Sequence, residues 1–165
     1  MSRRRRVWPV YVAFVAAIAL EVVALPDFLV PVRPPLPAMV LIYWAMMWPD
    51  RFGLSVAFCI GLCLDILHGQ LLGQNALALV VVTYLTLRFH LQIRIFPLWQ
   101  LTMTVFALLA VGALIDLLIA GIAGLPDAGF TRWSRILAGT LVWPLLLGVM
   151  DRLRMQVEYR GRSFE

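Results

Sequence analysis

Four polar side chains sit inside long apolar runs of this chain: Glu21, Asp65, Asn75 and Asp116. Ionisable groups in such surroundings are costly and mark functional positions by default. Asp65 lies three residues before His68, a pair of types that suits acid–base work or a metal. The second histidine, His90, falls at the other end of its apolar run, and no HExxH or related zinc pattern is present. There is no GxSxG, no P-loop and no Rossmann glycine pattern, and no Ser/His/Asp set shares a depth. The expectation is a protein without catalytic residues, metal or cofactor. His68 is expected to be a turn histidine, and the four polar residues a cluster that docks a partner or opens into a pocket.

The elements that position them are dictated by composition. Of 165 residues, 62% are hydrophobic and 14% charged, against about 45–50% and 25% in soluble domains. So small a domain cannot hide that much apolar side chain in one core. The solvent must be largely lipid, which excludes an ordinary cytosolic enzyme, a disulfide scaffold and a disordered regulator. The fold class is all-α, a single integral membrane domain over residues 1–165 with about six transmembrane helices. The runs are residues 7–25, 36–48, 52–67, 71–87, 96–121 and 136–150. A spanning helix takes about 20 residues, so the second run is short. The first run is read as an uncleaved helix rather than a signal peptide, because it is long, contains Glu21 and lacks a small-residue cleavage site. Residues 26–37 are proline-rich and read as a loop, residues 88–94 as a polar connection and residues 151–165 as a tail. Cys59 and Cys63 are expected to be small packing residues. Trp8, Trp44, Trp48, Trp99, Trp133 and Trp143 are expected near the membrane interfaces.

Arginine placement orients these helices. All 14 basic residues are arginine. With six spans, eleven share the side of the two termini: Arg3, Arg4, Arg5, Arg6, Arg51, Arg88, Arg94, Arg152, Arg154, Arg160 and Arg162. The positive-inside rule puts that side in the cytoplasm, with the basic N-terminus 1–6 and the tail as anchors. Arg33, Arg132 and Arg135 fall outside and read as loop arginines at the interface. The net charge of +5 fits anionic lipid and not nucleic acid. This topology brings Glu21, Asp65, Asn75 and Asp116 to the outer half of the membrane. Gly53, Ala57, Gly61, Asp65 and Gly69 recur every four residues, a row that would let another helix approach closely. Gly69 and Gly73 serve the turn that follows. Ala13 and Ala17 form a second, weaker small-residue pair.

The segment from Arg51 to Leu77, about a sixth of the chain, carries Arg51, Gly53, Gly61, Asp65, Gly69, Gly73, Asn75 and Ala76 in a recognisable order. It resembles the MreD family of rod shape-determining membrane proteins. The resemblance implies a non-catalytic component of the bacterial cell-elongation complex in the inner membrane. Its implied partners are MreC, a bitopic protein, and more widely the MreB filament, RodA and its transpeptidase. His68 departs from the small or polar residue of many relatives. In helix count and size the family also resembles the substrate-binding subunits of energy-coupling-factor transporters. That leaves open a second expectation, a small-molecule-binding transporter subunit whose outer pocket holds the ligand and whose Ala13 and Ala17 dock an energising partner. A third expectation is lipid handling through Arg33, Arg132 and Arg135.

Overall fold

The computed structural model describes residues 8–22, 32–124 and 129–162. Within them the chain forms six helices: α1 (Trp8–Val22), α2 (Leu36–Met47), α3 (Leu54–His68), α4 (Gln74–Arg94), α5 (Leu98–Ile122) and α6 (Gly129–Arg162). The stretches 74–94, 98–122 and 131–155 are long and apolar enough to cross a membrane, while α1, α2 and α3 are shorter. Large apolar side chains cover the outside of the bundle, among them Ile122 at 89% exposure and Leu141 at 81%. A surface of this kind belongs in lipid, and the protein is a membrane protein.

The short α2 is the centre of the bundle. Met39 through Met46 are all at most 2% exposed, and α1, α4, α5 and α6 pack around them. A helix apolar on every side is a buried helix. Its ends are therefore sheltered by protein, which removes the need for 20 residues. The chain enters α2 through non-helical backbone at 33–35. Leu36 N–H donates to the Pro34 carbonyl at 2.9 Å, and Pro35 at φ −76° and ψ 73° forms an inverse γ-turn. Irregular backbone at this depth is tolerated where protein covers it. Two consecutive prolines also bring no N–H that needs a partner.

Several boundaries differ from the expectation. Residues 88–94 are the last two turns of α4, and residues 151–162 of the expected tail continue α6. Arginines end a lipid-facing surface without ending a helix, because their backbone hydrogen-bonds as well as that of leucine. The chain breaks after α4 at 95–97, just ahead of α5, whose N-cap is Pro97. Trp44 and Trp143 are at most 1% exposed and belong to the core, not the interface. Trp44 lies within 6.0 Å of Phe52, and Phe52 stacks on Phe14 at 5.7 Å. Cys59 and Cys63 are free and exposed, on the face of α3 turned away from Ala57 and Gly61. They do not pack in the core, because α3 buries only one side. Ala13 and Ala17, with Val10 and Phe14, are buried where α1 packs on α2. They are thus covered by this chain and unavailable to an outside partner.

At one end of the bundle α2 is tied to α6. The fully buried Tyr43 donates its hydroxyl to Asp151 Oδ1, and Arg154 reaches Met47 Sδ at 2.9 Å and Asp151 Oδ1 at 3.9 Å. Tyr43→Phe is expected to cost about 1–2 kcal/mol, the usual worth of a hydrogen bond to a charged group with some solvent access. Thermal unfolding of the purified protein checks this. The exposed Tyr84→Phe should leave the melting curve where it is, and equal curves for both variants would mean that the α2–α6 tie contributes nothing.

Candidate functional site

The other end of the bundle carries the polar residues. Asp65 is in the last turn of α3 and fully buried. Its Oδ2 accepts the Gly73 backbone N–H at 2.8 Å, and its Oδ1 accepts the Asn75 backbone N–H at 2.8 Å and the Asn75 side-chain amide at 3.0 Å. Asn75 also donates to Gln70 Oε1 at 2.7 Å. The first backbone N–H groups of a helix have no partner within it. The N-cap of α4 is Gly73 at φ +100°, a conformation that favours glycine and supplies no capping side chain. Asp65 provides that cap from the neighbouring helix, with its charge at the positive end of the α4 dipole. The turn closes on its other side through Gly69, at φ +61°, which ends α3.

Below this turn α3 and α4 are in backbone contact. A Cβ on Gly61 would stand 2.2 Å from Ala76 Cα. Ala57, at 0% exposure, continues the same face. The four-residue row is therefore a packing seam at Ala57, Gly61 and Asp65 only. Gly53 is the extended N-cap of α3 and Gly69 its left-handed end, and neither would bring a Cβ within 4 Å of a neighbour. They belong to helix termini, where the four-residue period no longer describes a face.

Asp116 on α5 joins through Gln74, whose side-chain amide donates to the Asp116 carbonyl at 3.4 Å. The charges that act on its carboxylate are Arg132, Asp65 and Arg135. Glu21, at 6% exposure, is paired with Arg135 on α6. Arg135 Nε donates to the Arg33 carbonyl at 3.2 Å, and the Arg33 guanidinium donates to the Leu20 carbonyl at the end of α1. Arg132 and Arg135 thus lie in the first turns of α6 and not in a loop. Arg135 and Arg33 hold α1, the entry to α2 and α6 together, and their guanidiniums are engaged by this chain's own acceptors. The structure thus places Glu21, Asp65, Asn75 and Asp116 at one end of the bundle, with Arg33, Arg132 and Arg135 among them. Three carboxylates and three guanidiniums share this end, equal in number, with Glu21 and Arg135 in direct contact. The pairing of Glu21 with Arg135 was missed from sequence. The available signal was that the three acids and three arginines share one depth.

The remaining candidates lie apart. His68 is exposed at the end of α3, and His90 Nδ1 lies 2.6 Å from the Leu87 carbonyl. Among the described residues no three His, Cys, Asp or Glu side chains converge as metal ligands would. Arg51, Arg88, Arg94 and Arg152 are exposed at the end opposite Asp65, and Arg154 is half-buried there. Arg3, Arg4, Arg5 and Arg6 lie outside the described residues.

Comparison with known proteins matches residues 2–155 to the family model described as rod shape-determining protein MreD. The chain belongs to the MreD family. The rod shape-determining protein MreD of Haemophilus influenzae is 29% identical over 148 residues, which cover 88% of this chain and 90% of that protein. The Asp65 cap and the Gly61 seam are thus features of an MreD-family chain. No solved structure matches, so the likeness to the energy-coupling-factor subunits has no support.

Proposed function

We propose that this protein is a non-catalytic component of the bacterial cell-elongation complex, acting in the inner membrane with an MreC-like partner to organise sidewall peptidoglycan synthesis. All six helices cross the membrane in this reading, α2 within the shelter of the others, and both termini are cytoplasmic. The surplus of arginines at the Arg51, Arg88 and Arg154 end supports that orientation. The Asp65 end is then periplasmic. The observation that carries the reading is the state of the Asp65 carboxylate. It is fully buried, and both oxygens are taken by the start of α4. A group so engaged neither transfers protons nor reaches a ligand; it holds the α3–α4 hairpin in one shape. A rigid hairpin at the periplasmic face suits a scaffold that presents a surface. The transporter reading has no such support, since Asp65 is closed off and Ala13 and Ala17 are covered.

Asp65→Ala leaves the backbone N–H groups of Gly73 and Asn75 without their acceptor, a loss of about 3 kcal/mol at roughly 1.5 kcal/mol or more per charge-assisted bond. The variant is expected to reach the membrane in reduced amount, to recover less MreC-like partner on co-purification and to round the cells. Asp65→Asn, which keeps one acceptor oxygen, should fall between. Rod-shaped cells with full partner recovery from Asp65→Ala would overturn the proposal.

A further inference from the structure

Arg51 opens an unassigned site at the end of the bundle opposite Asp65. The turn between α2 and α3 is fixed by its backbone, with the N–H groups of Arg51 and Phe52 donating to the Trp48 carbonyl at 3.1 and 3.2 Å. The Arg51 side chain is exposed and, among the described residues, makes neither an ion pair nor a hydrogen bond. Beside it is a recess of about 270 Å³ lined by Tyr11, Arg51, Phe52 and Val56. The recess lies between α1, which packs chiefly on α2, and α3, which packs chiefly on α4. Its floor is firm: Phe52 is 5% exposed, stacked on Phe14 and next to Trp44. Its rim carries Arg51 and the exposed Tyr11.

We propose that this recess holds one anionic phospholipid, with the phosphate on Arg51, the Tyr11 hydroxyl beside it, and the start of an acyl chain over Phe52 and Val56. Charge and shape both select this occupant. An unpaired guanidinium next to an apolar floor complements a phosphate joined to a hydrocarbon chain, whereas a free phosphate gains nothing from Phe52 or Val56. The volume is just under the roughly 300–1,000 Å³ of small-molecule pockets, and the helices that line the recess, α1 and α3, carry further exposed apolar side chains at Val12, Val15 and Phe58. Arg88, Arg94 and Arg152 are exposed at the same end and raise the local concentration of anionic lipid. The site rests on the membrane reading alone and needs no protein partner.

Native mass spectrometry of the whole protein, delipidated in detergent and titrated with phosphatidylglycerol or phosphatidylcholine, tests this. The wild type should hold one phosphatidylglycerol about tenfold more tightly than phosphatidylcholine, and millimolar inorganic phosphate should not displace it. Arg51→Gln should lose that preference. Val56→Trp, which fills the recess and keeps the charge, should weaken the same adduct. Arg88→Gln should retain it. Equal losses from Arg51→Gln and Arg88→Gln would mean diffuse attraction to a basic surface and would overturn the site. Equal binding of the two lipids, displacement by phosphate, or full binding by Val56→Trp would overturn it too.

Discussion

Gly61→Ala is expected to force α3 away from α4 and to cost about 3 kcal/mol, the upper end of ordinary overpacking. The added methyl would lie 2.2 Å from Ala76 Cα, 2.6 Å from Ala76 N and 2.9 Å from Asn75 C. All three atoms are backbone, so no rotamer change relieves the clash, and α4 must move as a unit. The displacement would also reach Asp65 one turn further on, whose cap depends on Gly73 and Asn75 staying in place. Gly148→Ala is the matched control, because a Cβ there meets nothing within 4 Å and alanine favours a helix by up to ~1 kcal/mol over glycine. In thermal unfolding, Gly61→Ala should melt well below the wild type and Gly148→Ala at or above it. A Gly61→Ala variant with the wild-type melting point would mean that the two helices are not in backbone contact.

Arg135→Ala is the second large effect. Its partner Glu21 has a side chain only 5% exposed, and stranding one member of a buried pair costs about 3–5 kcal/mol. The low end is expected, since the Arg135 side chain is 33% exposed. The same guanidinium also donates to the Arg33 carbonyl, so its removal loosens α1, the entry to α2 and α6 together. The double variant Glu21→Ala with Arg135→Ala should recover part of the loss, because no unpaired carboxylate remains. If the double variant loses as much as the two single variants summed, the residues do not interact and the tie is refuted.

These two effects differ in how far the sequence discloses them. The Asp65 cap spans ten residues and is written locally: a helix-ending Gly69, a capping Gly73 and an amide at Asn75 within reach of a carboxylate. The four-residue spacing of Ala57, Gly61 and Asp65 likewise announces a close helix contact, although it cannot say that Gly53 and Gly69 lie beyond the helix. The Glu21–Arg135 pair spans 114 residues, the Tyr43–Asp151 bond 108 and the Arg135–Arg33 bond 102. No local spacing encodes them. Apolar runs and arginine counts place a residue in height along the bundle, but not in rotation about its helix axis. That is why the sequence assigns Glu21, Asp116 and the three arginines to one end while their pairing stays hidden. It is also why Cys59 and Cys63 look like core residues and are not.

The sequence by itself determined that lipid is the solvent, that the architecture is helical, and, through the Asp65 to Asn75 segment, the family to which the chain belongs. These properties reside in composition and in short-range spacing, where each residue acts through its own transfer energy or through the next turn. The tertiary structure alone decided that the short α2 is the core, that Trp44 and Trp143 are inside, and that Glu21 pairs with Arg135 at the Asp65 end. Those outcomes depend on which face each helix turns to its neighbours. That choice is set by the packing of all six described helices at once.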